Sequence, residues 1–143
     1  MFKYLGRLLT KAKTHLLSVA EILGFPEDVQ HQMRRANDEE CEALLLSQAE
    51  GRHGGPVDWR GTPEDVYAVL GPCLTEEERA LFPPISALSS RRPPEVFAEL
   101  DEHFRKGPRA LRSLESFGDF SIVLLIPRHR VEEFDRSVGP WLA

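Results

Sequence analysis

The stretch Phe120-Ser-Ile-Val-Leu-Leu-Ile126 constrains this chain more than any other. Its apolar residues do not alternate with polar ones, so a strand built from it has no face to offer water. Such a strand belongs in the middle of a sheet with both faces covered. Ile122, Val123, Leu124 and Leu125 are therefore expected to be inaccessible, and Pro127 ends the strand. Upstream, 110–116 reads as a second strand joined to it through Gly118-Asp119 in a tight hairpin. A two-residue turn flanked by Phe117 and Phe120 would pair Ser116 with Ser121 and Leu114 with Val123.

The remaining sequence is punctuated for helices. Phe2, Leu5, Leu9, Ala12, Leu16, Ala20 and Leu23 recur at intervals of three and four, one apolar stripe on a helix over 2–23. Gly24 and Pro26 close it and open a second helix over 26–36. Asn37 with Glu40 forms a capping pattern for a helix carrying Cys41, Leu44, Leu45 and Gln48. Thr62-Pro-Glu-Asp supplies a cap, a first-turn proline and two carboxylates for a helix with Val66, Tyr67, Val69 and Leu70. Thr75-Glu-Glu-Glu starts a short helix that Pro83-Pro84 stops. Residues 85–90 read as a possible short strand. Pro93-Pro94 opens a helix with Val96, Phe97, Leu100 and Phe104 inward, and Val131, Phe134 and Val138 mark a last one. The fold class expected is α+β: a single helix-rich domain over 1–143, with N-terminal helices in 1–50 and a mixed part in 57–138. Its helices pack on one face of a small, mostly antiparallel sheet with a C-terminal hairpin and a final helix.

Charge narrows the function classes. The 143 residues hold 18 Lys and Arg against 23 Asp and Glu, a net of −5. A dedicated nucleic-acid binder would be basic, so no nucleic-acid partner is expected. Residues 1–35 carry six basic and three acidic groups, whereas 36–50 carry five acidic and no basic ones. Acidity thus concentrates in 36–80, at Asp38, Glu39, Glu40, Glu42, Asp58, Glu64, Asp65, Glu76, Glu77 and Glu78. Helix capping accounts for part of this; the rest could form an acidic face that attracts a basic partner. The N-terminal cations Lys3, Arg7, Lys11 and Lys13 suit either an anionic membrane or the wet side of a docked first helix. The docked reading is preferred, because the stripe would otherwise expose a large apolar patch. No apolar run approaches the length of a membrane span, no export signal is evident, and the compartment expected is the reducing cytoplasm.

Catalytic patterns are missing where they would be sought. No Gly-x-Ser-x-Gly elbow occurs, and adjacent carboxylates such as Glu39-Glu40 and Glu132-Glu133 do not face each other on a helix. Glu99 and His103 stand four apart on one helix but lack further ligands, so neither a metal nor a cofactor is expected. The segment from Gly51 to Pro56 is glycine-rich, yet Pro56 and an extended Val57-Asp58-Trp59 follow it rather than a helix. It reads as a flexible surface connection. Cys41 lies on a helical apolar stripe as a core residue, and Cys73 in its Pro-Cys-Leu turn is the candidate exposed thiol.

The residues from Glu40 through Asp58-Trp59 and on through Thr62-Pro-Glu-Asp-Val-Tyr-Ala-Val-Leu70 resemble the middle of a family of small bacterial proteins of unknown function. The Gly118-Asp119 turn, apolar strand and final helix resemble its C-terminal part, so the likeness covers 38–138. It implies an α+β fold and a bacterial origin and brings no catalytic residues. Two functional readings remain. One is a non-enzymatic interaction module, for instance an immunity-type inhibitor whose partner, a basic protein, meets Asp58, Trp59, Glu64, Asp65 and Tyr67. The other is a small-molecule binder or cryptic enzyme with a pocket near Trp59, Arg60, His103 and Asp119. Exposure of the Trp59 ring is decisive for the first: an indole plugging the gap beside Gly54-Gly55, with Glu64 and Asp65 only capping, would leave that face without an anchor.

Overall fold

The computed structural model describes residues 13–138. Along the chain run α1 (13–22), α2 (Glu27–Arg35), α3 (Asp38–Ala49), β1 (Gly54–Asp58), α4 (Pro63–Leu70), α5 (Glu76–Leu81), α6 (Pro93–His103), β2 (Arg109–Glu115), β3 (Phe120–Pro127) and α7 (Val131–Val138). Three-residue 3-10 helices cover Gly71–Cys73, Ile85–Ala87 and Arg128–Arg130. The fold is α+β, built on a three-stranded antiparallel sheet in the order β1-β3-β2. The expected first-helix start at Phe2, with Lys3, Arg7 and Lys11, lies outside the described residues. Its remaining stripe is docked: Leu16, Val19, Ala20 and Leu23 are buried. Lys13 donates to the carbonyls of Arg34 and Ala36, which ties α1 to the end of α2. Among the described residues no helix is long and apolar enough to cross a membrane.

As its pattern requires, β3 is the central strand, and Ile122 through Ile126 are fully buried. Successive side chains feed two cores. Ile122, Leu124 and Ile126 join Leu114 and the apolar sides of α1, α2, α3 and α7. Val123 and Leu125 join Leu111, Val57 and residues of α4 and α6. Helices therefore cover both faces of the sheet, as the apolar run of β3 requires, and not one face alone as the expected helix packing had it. The reason is arithmetic: a single layer would leave Val123 and Leu125 in water, at about 1.5–3 kcal/mol each.

Three other expectations change. The glycine-rich connection is not loose, because Gly54 and Gly55 begin β1 and are buried. At Gly54, with φ +144°, a Cβ would lie 1.8 Å from the Val123 carbonyl oxygen, so only glycine allows this approach to β3. Residues 85–87 form a 3-10 turn instead of a strand. The hairpin register pairs Leu114 with Ile122 and Glu115 with Ser121, one residue away from the two-residue-turn alignment. Ser116 does not pair with Ser121; its hydroxyl donates to the Phe120 carbonyl at 2.6 Å and accepts from the Gly118 amide at 3.1 Å. The Phe117 amide donates to Glu42 of α3 at 3.0 Å, so a side chain 75 residues away helps set the turn.

Polar ties hold the helices of the second core in place. Arg109 forks onto the fully buried Glu78 with bonds of 2.8 and 2.6 Å, and also donates to the carbonyls of Cys73 and Arg52. Burial alone would push the Glu78 carboxyl up; the Arg109 guanidinium and the Thr75 amide outweigh it and hold the group below its ordinary value. The stabilisation this pair supplies is therefore complete above the unfolded carboxylate pKa of about 4.3, and it is lost as the pH falls through the lower folded value. Glu78→Ala, which strands a partly buried guanidinium, should cost about 3 kcal/mol at neutral pH in urea unfolding. The exposed Glu102→Ala should change stability little, although Glu102 pairs with Arg105. Leu124→Ala should cost about 2–5 kcal/mol; a loss below about 1 kcal/mol would be incompatible with a fully covered central strand.

Candidate functional site

Topology brings several polar segments to one end of the sheet. β1 finishes there at Asp58, which pairs with Phe120 at the start of β3. The β2–β3 turn lies at the same end, and Glu42, in the second turn of α3, reaches it. α4 starts immediately beyond β1, so the acidic first turns of α3 (Asp38, Glu39, Glu40) and α4 (Glu64, Asp65) approach this end together. Carboxylates gather where helix N-termini favour them, which explains the local acidity without a ligand.

Trp59 stands at this end. It is half exposed, at 50%, and is the exposed large apolar side chain among the described residues. The backbone beneath it is held from three sides. The Trp59 amide donates to the Asp119 carbonyl at 3.2 Å, the Arg60 amide to the Asp58 carboxylate at 2.7 Å, and the Gly61 amide to the Asp58 carbonyl at 2.9 Å. A Cβ on Gly61 would lie 2.9 Å from that carbonyl, so the turn needs its glycine. The indole thus stands half in solvent on a backbone corner fixed by these bonds.

The other expected anchors divide. Asp58, Glu64 and Arg60 are exposed around the indole, as is Asp119 in the adjoining turn. Asp65 is committed to the α4 capping box: its carboxylate accepts from the Thr62 amide at 2.8 Å while the Thr62 hydroxyl accepts from the Asp65 amide. Tyr67 packs, partly buried, against the second core, with its hydroxyl donating to the Pro83 carbonyl at 2.6 Å and its ring 4.1 Å from that of Phe82. Burial pushes its phenol up. Two further members of the expected acidic face are structural as well: Glu42 is buried under the β2–β3 turn, and Glu78 is buried with Arg109.

The alternative pocket is not assembled. Trp59, Arg60 and Asp119 lie together, but His103 ends α6 at the far end of the sheet, near the start of β2 where Arg109 pairs with Pro127. Its neighbour Glu99 is occupied as a turn cap, accepting from the amides of Ser89 and Ser90 at 2.9 and 3.0 Å. Among the described residues no group of three or more His, Cys, Asp or Glu side chains converges as a metal site would. Cys73 proves buried, not exposed: it packs in the second core, with Sγ donating to the Val69 carbonyl, and burial pushes its thiol up. Cys41 is fully buried and pushed up to about 11. Neither is a reactive thiolate at neutral pH.

One feature of the surface has no signal in local sequence. A shallow groove of about 170 Å³ runs between α6 and β2, lined by Pro94, Phe97, Ala98, Leu111 and Ser113. Along it Arg112 forks onto Asp135 of α7 at 2.9 and 3.1 Å and reaches Asp101 of α6 at 3.1 Å. These three residues are scattered along the chain and meet only because β2 runs between the two helices.

No protein-family model, curated protein or solved structure matches the chain. The division of labour at the Trp59 corner can be read out directly. Asp65→Ala should lower thermal stability by about 0.5–1 kcal/mol through the lost cap. Trp59→Ala should cost about 1–2 kcal/mol in the same melts, through loss of the half of the ring that is buried.

Proposed function

We propose that the chain is a non-enzymatic interaction module that engages a basic protein partner through the Trp59 corner, in the manner of an immunity-type inhibitor covering a toxin or enzyme. The observation that carries this reading is the half-exposed indole on a backbone fixed by the Asp58, Asp119 and Gly61 hydrogen bonds. A large aromatic side chain held in advance loses little freedom on binding, and tryptophan surrounded by polar groups is a common interface anchor. Asp58, Glu64 and Asp119 around it, with Asp38 and Glu39 at the start of α3, supply negative charge to steer a positive partner. Both cysteines are free, which agrees with an encounter in the reducing cytoplasm.

The small-molecule reading has weaker support. The α6–β2 groove, at about 170 Å³, is below the roughly 300–1,000 Å³ of ligand pockets and contains none of Trp59, Arg60, His103 or Asp119.

Charge and indole should act on different rates. With a partner captured by affinity and then purified, Glu64→Lys should slow association and flatten its salt dependence. Trp59→Ala should instead speed dissociation, with a loss of about 2 kcal/mol. Stopped-flow kinetics separates the two, and a complex indifferent to both substitutions would overturn the reading.

A further inference from the structure

We propose that the end of the β2 edge left open by the described residues accepts an extended, lysine- or arginine-bearing segment of a partner protein as an additional strand. This surface stands independently of the Trp59 corner, since β1, which leads to Trp59, and β2 are the opposite edges of the sheet.

The two edges are treated differently. On β1, the bonds from the Trp59 amide to Asp119 and from the Leu125 amide to His53 fix which residues face β3. Gly55 and Val57 then face inward, while Gly54, Pro56 and Asp58 turn their main-chain groups outward. Pro56 has no N–H to offer, and the Asp58 carbonyl is taken by the Gly61 amide. A proline on an edge and an occupied carbonyl blunt that side against strand addition.

On β2 the protection covers only half the strand. The Leu111 amide points away from β3 and donates to Asp101 at 2.9 Å, so alternate residues Arg109, Ser113 and Glu115 share its outward direction. The Leu111 carbonyl accepts from Arg112 at 3.0 Å and that of Arg109 from Arg128 at 3.2 Å. Among the described residues, no such partner meets the outward amides and carbonyls of Ser113 and Glu115. Beside them lies the groove: Ser113 is small, and Pro94, Phe97 and Ala98 of α6 wall the space over it. An added strand would bond to Ser113 and Glu115 and lay alternate side chains against those apolar residues.

Charge decides the occupant. Arg112 is shared by Asp101 and Asp135, leaving one negative charge in excess, and the exposed Glu95 and Glu115 offset Arg91 and Arg92 ahead of α6, so the net charge beside the groove is negative. A basic segment is attracted, whereas a second copy pairing β2 with β2 would bring these carboxylates against their own kind.

The test uses the full chain and short capped peptides, followed by fluorescence anisotropy and by amide exchange at Ser113 and Glu115. An alternating lysine–valine peptide should bind and slow exchange at both amides, and a glutamate–valine peptide should not bind. Methylating alternate peptide nitrogens should weaken binding at least about tenfold, because strand addition needs those donors. Ser113→Pro should weaken it similarly while sparing the β2–β3 ladder, which does not use the Ser113 amide. Trp59→Ala should bind the peptide as the parent does, even if the Trp59 reading fails. Equal binding of the methylated peptide, or binding without protection at Ser113 and Glu115, would overturn the proposal. So would binding only after removal of residues 139–143, which would give the edge to the chain's own tail, or dimerisation of the parent protein through β2.

Discussion

A strand with no polar face sets the terms for the rest of this molecule. Ile122 through Ile126 are all fully buried, and their side chains alternate into two separate cores. Each core needs its own lid, which a chain of this length supplies with helices placed before and after the strand. α1, α2, α3 and α7 close one side, and α4 and α6 with the intervening turns close the other. The arrangement buries apolar surface on a scale that no single polar contact here approaches.

Layering on both sides also creates the polar problem that the arginines solve. Segments crossing the ends of the sheet bring carbonyl groups together without regular partners. Arg109 collects those of Cys73 and Arg52 while pairing with buried Glu78, and Arg128 donates to those of Phe104, Gly107 and Arg109. A guanidinium suits this role because its donors fan out in a plane and it stays charged at any accessible pH. The same side chains that complete the fold are engaged within it, as are Glu42, Asp65 and Glu78 among the acids. The two proposed surfaces use what folding does not consume: the Trp59 ring with the carboxylates around it, and the half of the β2 edge that Asp101 and Arg112 do not cover.

These surfaces differ in kind. At the Trp59 corner, hydrogen bonds fix the backbone and leave half of the indole in water, which suits recognition by side-chain contact. At the β2 edge, Arg112 and Asp101 are engaged, and among the described residues the outward main-chain groups of Ser113 and Glu115 have no partner, which suits recognition by backbone pairing.

Much of the local structure was legible in the residues themselves. Thr62 with Asp65 and Thr75 with Glu78 form the capping boxes, and Asn37 caps α3, because these interactions span three residues and need no tertiary context. The central position of β3 was equally legible, since a run of apolar residues carries its burial requirement with it. Residues whose roles depend on distant partners could not be read in that way. Gly54 joins a strand because the Val123 carbonyl lies where its Cβ would be, and the hairpin register depends on Ser116 and on Glu42 from another helix. Tyr67, expected among the partner-binding anchors, bonds to Pro83 and packs on Phe82, and His103 is separated from Trp59 by the length of the sheet. Sequence alone determined the helix ends, the strand core and the α+β class, which follow from short-range periodicity and capping. Tertiary structure alone decided the register, which helices cover each face and which polar groups stay free, because those outcomes depend on which segments meet across long stretches of chain.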